Sequence, residues 1–168
     1  DLRLPALAVL IGGDVGKPGL LTAIEGAAAL EDCIFEDPET GLHVLMTKPS
    51  EPRSTVNAAD ILSSNRFSLL MEELGSRYEL VVLDTPPTLA VADPRILSAH
   101  CDLVVFVVQW DRTPRGVVME GLKELTSIKA PLAGIVLAIV DESKAVRYAY
   151  ESYKAYGLRD QRYYSEEA

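Results

Sequence analysis

Continuous apolar runs alternate along the chain with segments whose apolar residues recur every three or four positions. The runs are Leu80–Leu83, Leu103–Val108 and Leu132–Val140. Short apolar runs of this kind are typical of strands that are buried on both faces of a parallel sheet. We therefore predict three buried strands, of which Leu80–Leu83 is the central one.

Segments with helical spacing lie before and between these strands. The longest predicted helix follows the N-cap candidates Ser64 and Asn65, ends near Arg77, and places Phe67 and Leu74 on its apolar face. Further helices are predicted over Leu20–Glu25, Ala27–Ile34, Asn57–Leu62, Pro94–Ala99 and Val117–Ile128, and a further strand over Leu42–Thr47. Alternating strands and helices imply right-handed crossovers. The predicted fold class is therefore α/β, with a doubly wound, mostly parallel sheet flanked by helices.

Composition narrows the class of protein. The chain has 168 residues and a formal net charge of −9, which argues against nucleic acid as a partner. No apolar run approaches membrane-spanning length, and Cys33 and Cys101 lack the spacing of metal ligands. We expect an α/β domain over residues 1–142, a separate C-terminal tail over residues 143–168, and a reducing, cytoplasmic setting.

Asp84 is the candidate site residue that the predicted sheet singles out. It follows the central strand directly, and ligands of open α/β sheets bind at the carboxyl ends of the strands. With Thr85, Pro86 and Pro87 after it, this carboxylate can hold a magnesium ion beside a nucleotide phosphate. The alternative is an aspartate that only caps the following turn. This stretch of sequence does not distinguish the two.

Two other stretches contain residues that could bind a phosphate or take part in catalysis, but their patterns are weaker. The loop Gly12–Gly19 contains Lys17 but lacks the G-x-x-x-x-G-K-[ST] pattern of a phosphate loop, since Pro18 follows the lysine. We expect a surface turn there. His43 has no serine, cysteine or second metal ligand at a useful spacing, so we expect a partly exposed strand histidine.

All but one of the seven tyrosines lie in the C-terminal tail. Their spacing is neither 3.6 nor 2, so they do not form one core-facing stripe. They could anchor a partner interface or accept phosphate, and the clustering favours phosphate acceptors. The tail tyrosines are Tyr148, Tyr150, Tyr153, Tyr156, Tyr163 and Tyr164.

Several motifs together resemble the bacterial tyrosine kinases of exopolysaccharide and capsule export, a branch of the deviant-Walker P-loop ATPases. The matching stretches are Asp1–Pro5 (D-L-R-L-P), Lys17–Leu20 (K-P-G-L), Ala59–Phe67 (A-D-I-L-S-S-N-R-F), Leu83–Pro87 (L-D-T-P-P) and Asp111–Gly116 (D-R-T-P-R-G). The resemblance covers nearly the whole chain. It implies binding of ATP and Mg²⁺ and autophosphorylation on tyrosine.

The resemblance also assigns roles to individual residues. Asp1 matches the second aspartate of the Walker A-prime motif and Asp84 the Walker B aspartate, so both are implied to be catalytic and to act at the metal. Arg3, Thr85 and Pro86 are implied to contact the nucleotide. The six tail tyrosines match the acceptor cluster as a group.

The same resemblance implies partners and a location. The relatives phosphorylate each other in a homo-oligomeric ring and act with a membrane-embedded polysaccharide co-polymerase, in the same or a partner chain. A tyrosine phosphatase is an expected partner. The domain is expected to be cytoplasmic and tethered to the inner membrane through a transmembrane region outside this chain.

The chain also departs from the family pattern. It begins at Asp1 without a methionine and lacks the β-α-β unit that carries the family's phosphate loop. We expect upstream sequence that completes the site in a longer polypeptide. Two alternatives remain, a catalytically inactive interaction module of the export machinery and a non-kinase deviant-Walker ATPase switch. The kinase assignment applies to the intact domain and stays open for this chain alone.

Overall fold

The computed structural model of the chain describes residues 2, 16–47 and 57–146. These residues form helices and two small sheets, which confirms the predicted α/β class. The elements in chain order are α1 (Leu20–Glu25), α2 (Leu30–Cys33), β1 (Ile34–Glu36), β2 (His43–Leu45), α3 (Ala58–Leu62), α4 (Asn65–Arg77), α5 (Asp93–Ser98), β3 (Val104–Gln109), α6 (Arg115–Ser127) and β4 (Leu132–Ala138).

Each sheet of the described region has two strands. β3 and β4 are parallel, in a register that runs from Val104 beside Leu132 to Gln109 beside Ala138, and α6 connects them. This β-α-β unit is the crossover that the sequence predicts. β1 and β2 form an antiparallel hairpin instead, with Phe35 opposite Val44.

The hydrophobic core lies among the helices that precede β3. Its buried members come from α1 to α5, and α4 supplies three of them on the face predicted from the sequence. The caps are also as predicted, since Ser64 Oγ accepts from the backbone N–H of Phe67 at 3.2 Å and Asn57 Oδ1 accepts from that of Ala59 at 3.3 Å. The buried cluster is Ile24, Leu30, Leu62, Phe67, Leu70, Leu74 and Leu97.

The prediction of a central strand at Leu80–Leu83 is wrong for the described region. These residues have no regular secondary structure, and no described strand pairs with them. Leu80 and Val82 are 78% and 79% exposed, whereas Val81 and Leu83 pack against the core cluster. The alternation shows an extended segment that buries one face only, so a continuous apolar run did not mean burial on both faces.

β3 and β4 are placed as predicted but are less buried than predicted. Val108 is the buried strand residue, at 6% exposure, whereas Val105 and Val107 of β3 and Val136 of β4 are about half or more exposed. α6 packs on the opposite face, where the ring of Phe106 lies against Gly121. The prediction of burial on both faces therefore fails, because only one side of this described strand pair is packed.

The helix predicted over Ala27–Ile34 is shorter than expected. Gly26 has φ +70° and ends α1, and Ala29 is extended, so α2 begins only at Leu30. Ile34 already belongs to β1, a strand that the sequence pattern did not reveal. None of the helices in the described ranges is long and apolar enough to cross a membrane.

Candidate functional site

Asp84 lies on the surface at the end of the extended segment. Val81 and Leu83 fix this segment by packing on the core, and Asp84 and Thr85 after them are exposed. Pro86 and Pro87 continue the chain into a turn that the backbone N–H of Ala90 closes on the Pro87 carbonyl at 3.0 Å. The carboxylate is therefore presented outward by an anchored backbone, as a ligand for a hydrated cation requires.

The carboxyl ends of β3 and β4 carry two loops that contact each other. The backbone N–H of Trp110 donates to the Ala138 carbonyl at 3.0 Å, and Lys144 Nζ lies 3.5 Å from Asp111 Oδ2. The loop after β3 contains the D-R-T-P-R-G motif that begins at Asp111. The sequence marked this motif for its resemblance, but it did not indicate that the segment after β4 would meet it.

Both loops begin in the left-handed backbone region. Asp111 has φ +57° and Ile139 has φ +58°. Aspartate tolerates this conformation, but a β-branched residue there is strained by about 1–3 kcal/mol. Lys129, which precedes β4 at the opposite edge of the sheet, has φ +57° as well, so these dihedral angles do not by themselves mark the carboxyl edge as the functional edge.

Asp141 organises the start of the segment that follows β4. Its carboxylate accepts from the hydroxyl of Ser143 at 2.6 Å and from the backbone N–H groups of Ser143 and Lys144 at 3.1 and 3.2 Å. The Ser143 side chain, then the Lys144 backbone, lowers the pKa of Asp141 below its ordinary value. This ionised cap holds the segment in place, and Lys144 then reaches Asp111 in the neighbouring loop.

The described residues contain no cluster of three or more His, Cys, Asp or Glu side chains that could hold a metal ion by themselves. Mg²⁺ does not require such a cluster, because it is usually bound through one or two carboxylates together with substrate phosphates and water. The exposed carboxylate of Asp84, with the Thr85 hydroxyl beside it in the chain, fits that manner of binding.

Several predicted site residues lie outside the described residues. They are Asp1, Arg3 and the six tail tyrosines, and the boundary predicted between residues 142 and 143 also falls near the end of the described region. Leu2 is described, and it packs against the same core cluster as Leu83.

An open groove of about 590 Å³ lies at the other edge of the sheet. It is lined by α5 and by residues 128–131, which directly precede β4, and it contains Arg95, Lys129 and Cys101. Arg95 Nη1 pairs with Glu124 Oε2 of α6 at 2.6 Å, and burial raises the pKa of the Cys101 thiol. Asp84 does not line this groove.

His43 and Tyr78 form a contact that sequence reasoning missed. His43 Nδ1 lies 2.8 Å from the Tyr78 hydroxyl, although the residues are 35 positions apart. His43 is exposed in β2, which agrees with the expectation of a strand histidine. Helical periodicity ends before Tyr78, so no pattern along the chain indicated that this tyrosine would face the hairpin.

Comparison with known proteins identifies relatives of one kind. EpsB of Ralstonia solanacearum is 34% identical over 154 residues, which are 90% of this chain and 20% of EpsB. The tyrosine-protein kinase YwqD of Bacillus subtilis is 30% identical, over 90% of this chain and 65% of its own. The succinoglycan biosynthesis transport protein ExoP of Rhizobium meliloti is 27% identical, over 99% of this chain and 21% of its own. No protein-family model matches the chain.

Solved structures share the fold. The VpsO kinase domain is 35% identical and superposes with a TM-score of 0.73, over 84% of this chain and 68% of that domain. The kinase domain of the Escherichia coli tyrosine kinase ETK, at 23% identity, supports the fold alone, with a TM-score of 0.72.

The chain has an α/β fold of the P-loop class, which it shares with the VpsO kinase domain. Within that class, the chain belongs to the bacterial tyrosine kinase family. It spans about a fifth of the length of the EpsB proteins it matches.

Proposed function

We propose that this chain is part of an ATP-dependent protein-tyrosine autokinase that regulates the polymerisation and export of exopolysaccharide or capsular polysaccharide. The observation that carries the proposal is the match to the VpsO kinase domain, at 35% identity over 68% of that domain. The name of ExoP, a succinoglycan biosynthesis transport protein, supports the link to polysaccharide.

The proposed ligands are ATP and Mg²⁺, bound beside Asp84 at the end of the extended segment. Asp84 and Asp1 would hold the metal, and Arg3, Thr85 and Pro86 would contact the nucleotide. The exposure of Asp84 at the end of an anchored segment supports the assignment of this carboxylate, and the roles of Asp1 and Arg3 rest on the family resemblance. When bound, Mg²⁺ supplies neutralisation of phosphate charge, which phosphoryl transfer needs more than covalent help.

The proposed acceptors are the six tail tyrosines, phosphorylated between copies in a homo-oligomeric ring. A tyrosine phosphatase would reverse the modification, and no nucleic-acid partner is proposed, in keeping with the net charge of −9. The domain would work in the cytoplasm beside a membrane-embedded co-polymerase segment, in the same or a partner chain, that tethers it to the inner membrane.

The test compares this chain with the longest natural polypeptide that contains it. Each is incubated with ATP and Mg²⁺, and phosphotyrosine is then detected and mapped. We expect phosphotyrosine in the tail of the longer polypeptide, and no phosphotyrosine there contradicts the proposal. Labelling of the longer polypeptide alone would show that this chain needs sequence beyond its own.

Two substitutions in the longer polypeptide test the site. Asp84→Asn is expected to abolish Mg²⁺-dependent ATP binding and labelling. Asp102→Asn is a matched control, because Asp102 is also exposed but precedes β3 and lies outside the Leu83–Pro87 motif. Unchanged ATP binding in Asp84→Asn would show that the metal assignment is wrong. ATP hydrolysis without phosphotyrosine would favour an ATPase switch instead.

A further inference from the structure

Tyr78 is the one tyrosine outside the C-terminal tail, and its backbone is fixed. It follows the last residue of α4, and its N–H donates to the Leu74 carbonyl at 3.0 Å. Its ring is partly buried against the core cluster. The ring is therefore anchored while its hydroxyl reaches the surface beside β2.

The hydroxyl meets an imidazole that has a carboxylate on its other side. His43 Nδ1 lies 2.8 Å from the Tyr78 hydroxyl, and the two rings meet edge to face, with centroids 5.5 Å apart. On the other side of the imidazole, Nε2 lies 3.8 Å from Glu36 Oε2. With the imidazole hydrogen assigned to Nε2, toward this carboxylate, Nδ1 accepts the hydrogen bond from the tyrosine hydroxyl.

A hydroxyl hydrogen-bonded to a base, with a carboxylate beside the base, has the parts of an activated nucleophile. We infer that Tyr78 is an additional phosphate acceptor, with His43 as its general base and Glu36 as the carboxylate that stabilises His43 once it is protonated. This inference rests on the proposed kinase function, which supplies ATP as the phosphoryl donor.

The transfer would proceed by attack of Tyr78 Oη on the γ-phosphorus of ATP. The bond from oxygen to phosphorus forms, and the bond from the γ-phosphorus to the bridging oxygen breaks, with its electron pair leaving on ADP. The phenolic proton moves to His43 Nδ1, and Glu36 stabilises the resulting imidazolium. No oxidant or further reactant is needed.

We place the donor site in another copy of the protein, as proposed for the tail tyrosines. Tyr78 and Asp84 are six positions apart, so a fully extended chain would separate them by at most roughly 20 Å, and the bend at Glu79 shortens that distance. A mixture of labelled acceptor and unlabelled donor chains distinguishes transfer between copies from transfer within one chain.

The experiment uses the longest natural polypeptide in two forms. The acceptor is labelled with ¹⁵N and carries Asp84→Asn together with phenylalanine at all six tail tyrosines, and the donor is the unlabelled wild type. After incubation with ATP and Mg²⁺, mass spectrometry locates phosphate on the ¹⁵N chains. We expect it at Tyr78, and Tyr78→Phe should remove it.

A second pair of variants tests the base. His43→Gln in the acceptor is expected to slow labelling of Tyr78 by about 10²-fold or more, the usual contribution of a general base. His100→Gln is the matched control, because the ring of His100 contacts Phe67 edge to face, whereas that of His43 contacts Tyr78. In acceptor chains that keep the six tail tyrosines, phosphorylation of the tail shows that the His43→Gln variant remains folded.

The outcomes separate the two proposals. Phosphate on the tail but none at Tyr78 overturns the inference and leaves the kinase function standing. Equal labelling of Tyr78 in His43→Gln overturns the role of His43 as base. Absence of phosphotyrosine from both tail and Tyr78 in every mixture overturns the kinase function, and the inference with it.

Discussion

Replacing Gly121 by alanine tests the packing of α6 on β3. A β-carbon at Gly121 would lie 2.8 Å from Phe106 Cζ and 3.1 Å from Cε2, closer than carbon atoms tolerate. Extra volume in a packed site costs about 1–3 kcal/mol. Alanine also favours the helix over glycine by about 0.8–1 kcal/mol. The net expectation is a loss of stability of about 0–2 kcal/mol.

Gly75→Ala is the matched control. Gly75 also lies within a helix, α4, but a β-carbon there would meet nothing within 4 Å. It should gain stability by roughly 0.5–1 kcal/mol from helix propensity alone. The two variants should therefore differ by about 1–3 kcal/mol, with the alanine at position 121 the less stable.

Urea unfolding of the purified chain measures this difference. For small proteins the free energy of unfolding falls by about 1–3 kcal/mol per molar urea, so the midpoints should separate by roughly 1 M. Phe106→Leu removes the far end of the ring and should reduce the penalty of the added methyl. If Gly121→Ala and Gly75→Ala stabilise the chain equally, the contact between the helix and the ring is refuted.

Three further changes probe the core, a helix cap and a surface ion pair. Leu125→Ala should lower the free energy of unfolding in urea by about 2–5 kcal/mol, because Leu125 is only 2% exposed. Leu69→Ala is the control, since Leu69 is 55% exposed and its loss should change that free energy by no more than about 0.5 kcal/mol. Similar losses in the two variants would contradict the assignment of Leu125 to the core. Ser64→Ala should cost about 1 kcal/mol by removing the α4 N-cap, and an unchanged thermal midpoint would exclude that role. The Arg77 side chain lowers the pKa of Glu31 in the folded protein below its value in the unfolded chain. The ion pair therefore stabilises the folded state fully above the unfolded-state pKa of Glu31, and this contribution is lost as pH falls through the folded-state pKa. Arg77→Gln should raise the pKa of Glu31 in an NMR titration and make the free energy of unfolding depend less on pH between the folded-state and unfolded-state pKa values. An unchanged pKa of Glu31 in this variant would rule out the ion pair.

Local signals in the sequence predicted the helical half of the fold well. Ser64 and Asn57 are caps because their short side chains accept backbone N–H groups within a few residues, and the apolar spacing of α4 gave its buried face correctly. These features depend on neighbours along the chain, so a single sequence contains them. The order of β3, α6 and β4 followed from length and periodicity for the same reason.

Burial and long-range contacts were harder to predict. The run Leu80–Leu83 is as apolar as a strand buried on both faces, but its environment depends on which segments lie beside it, and composition does not contain that information. The contact of His43 with Tyr78 depends on where the hairpin packs relative to the end of α4. For the candidate site, sequence identified Asp84 and the loop that begins at Asp111, but not the strained Ile139 across from it.

The exposed side chains of Leu80 and Val82 affect the solubility of the chain. Each exposes more than three quarters of its surface, and Val107 of β3 exposes 63%. Apolar surface of this kind promotes self-association, hydrophobic-dye binding and capture by chaperones. Within the described residues β3 and β4 pair only with each other, and an unpaired strand edge can accept a further strand. The net charge of −9 opposes that tendency through repulsion, so the solubility of the purified chain should fall as salt screens the charge.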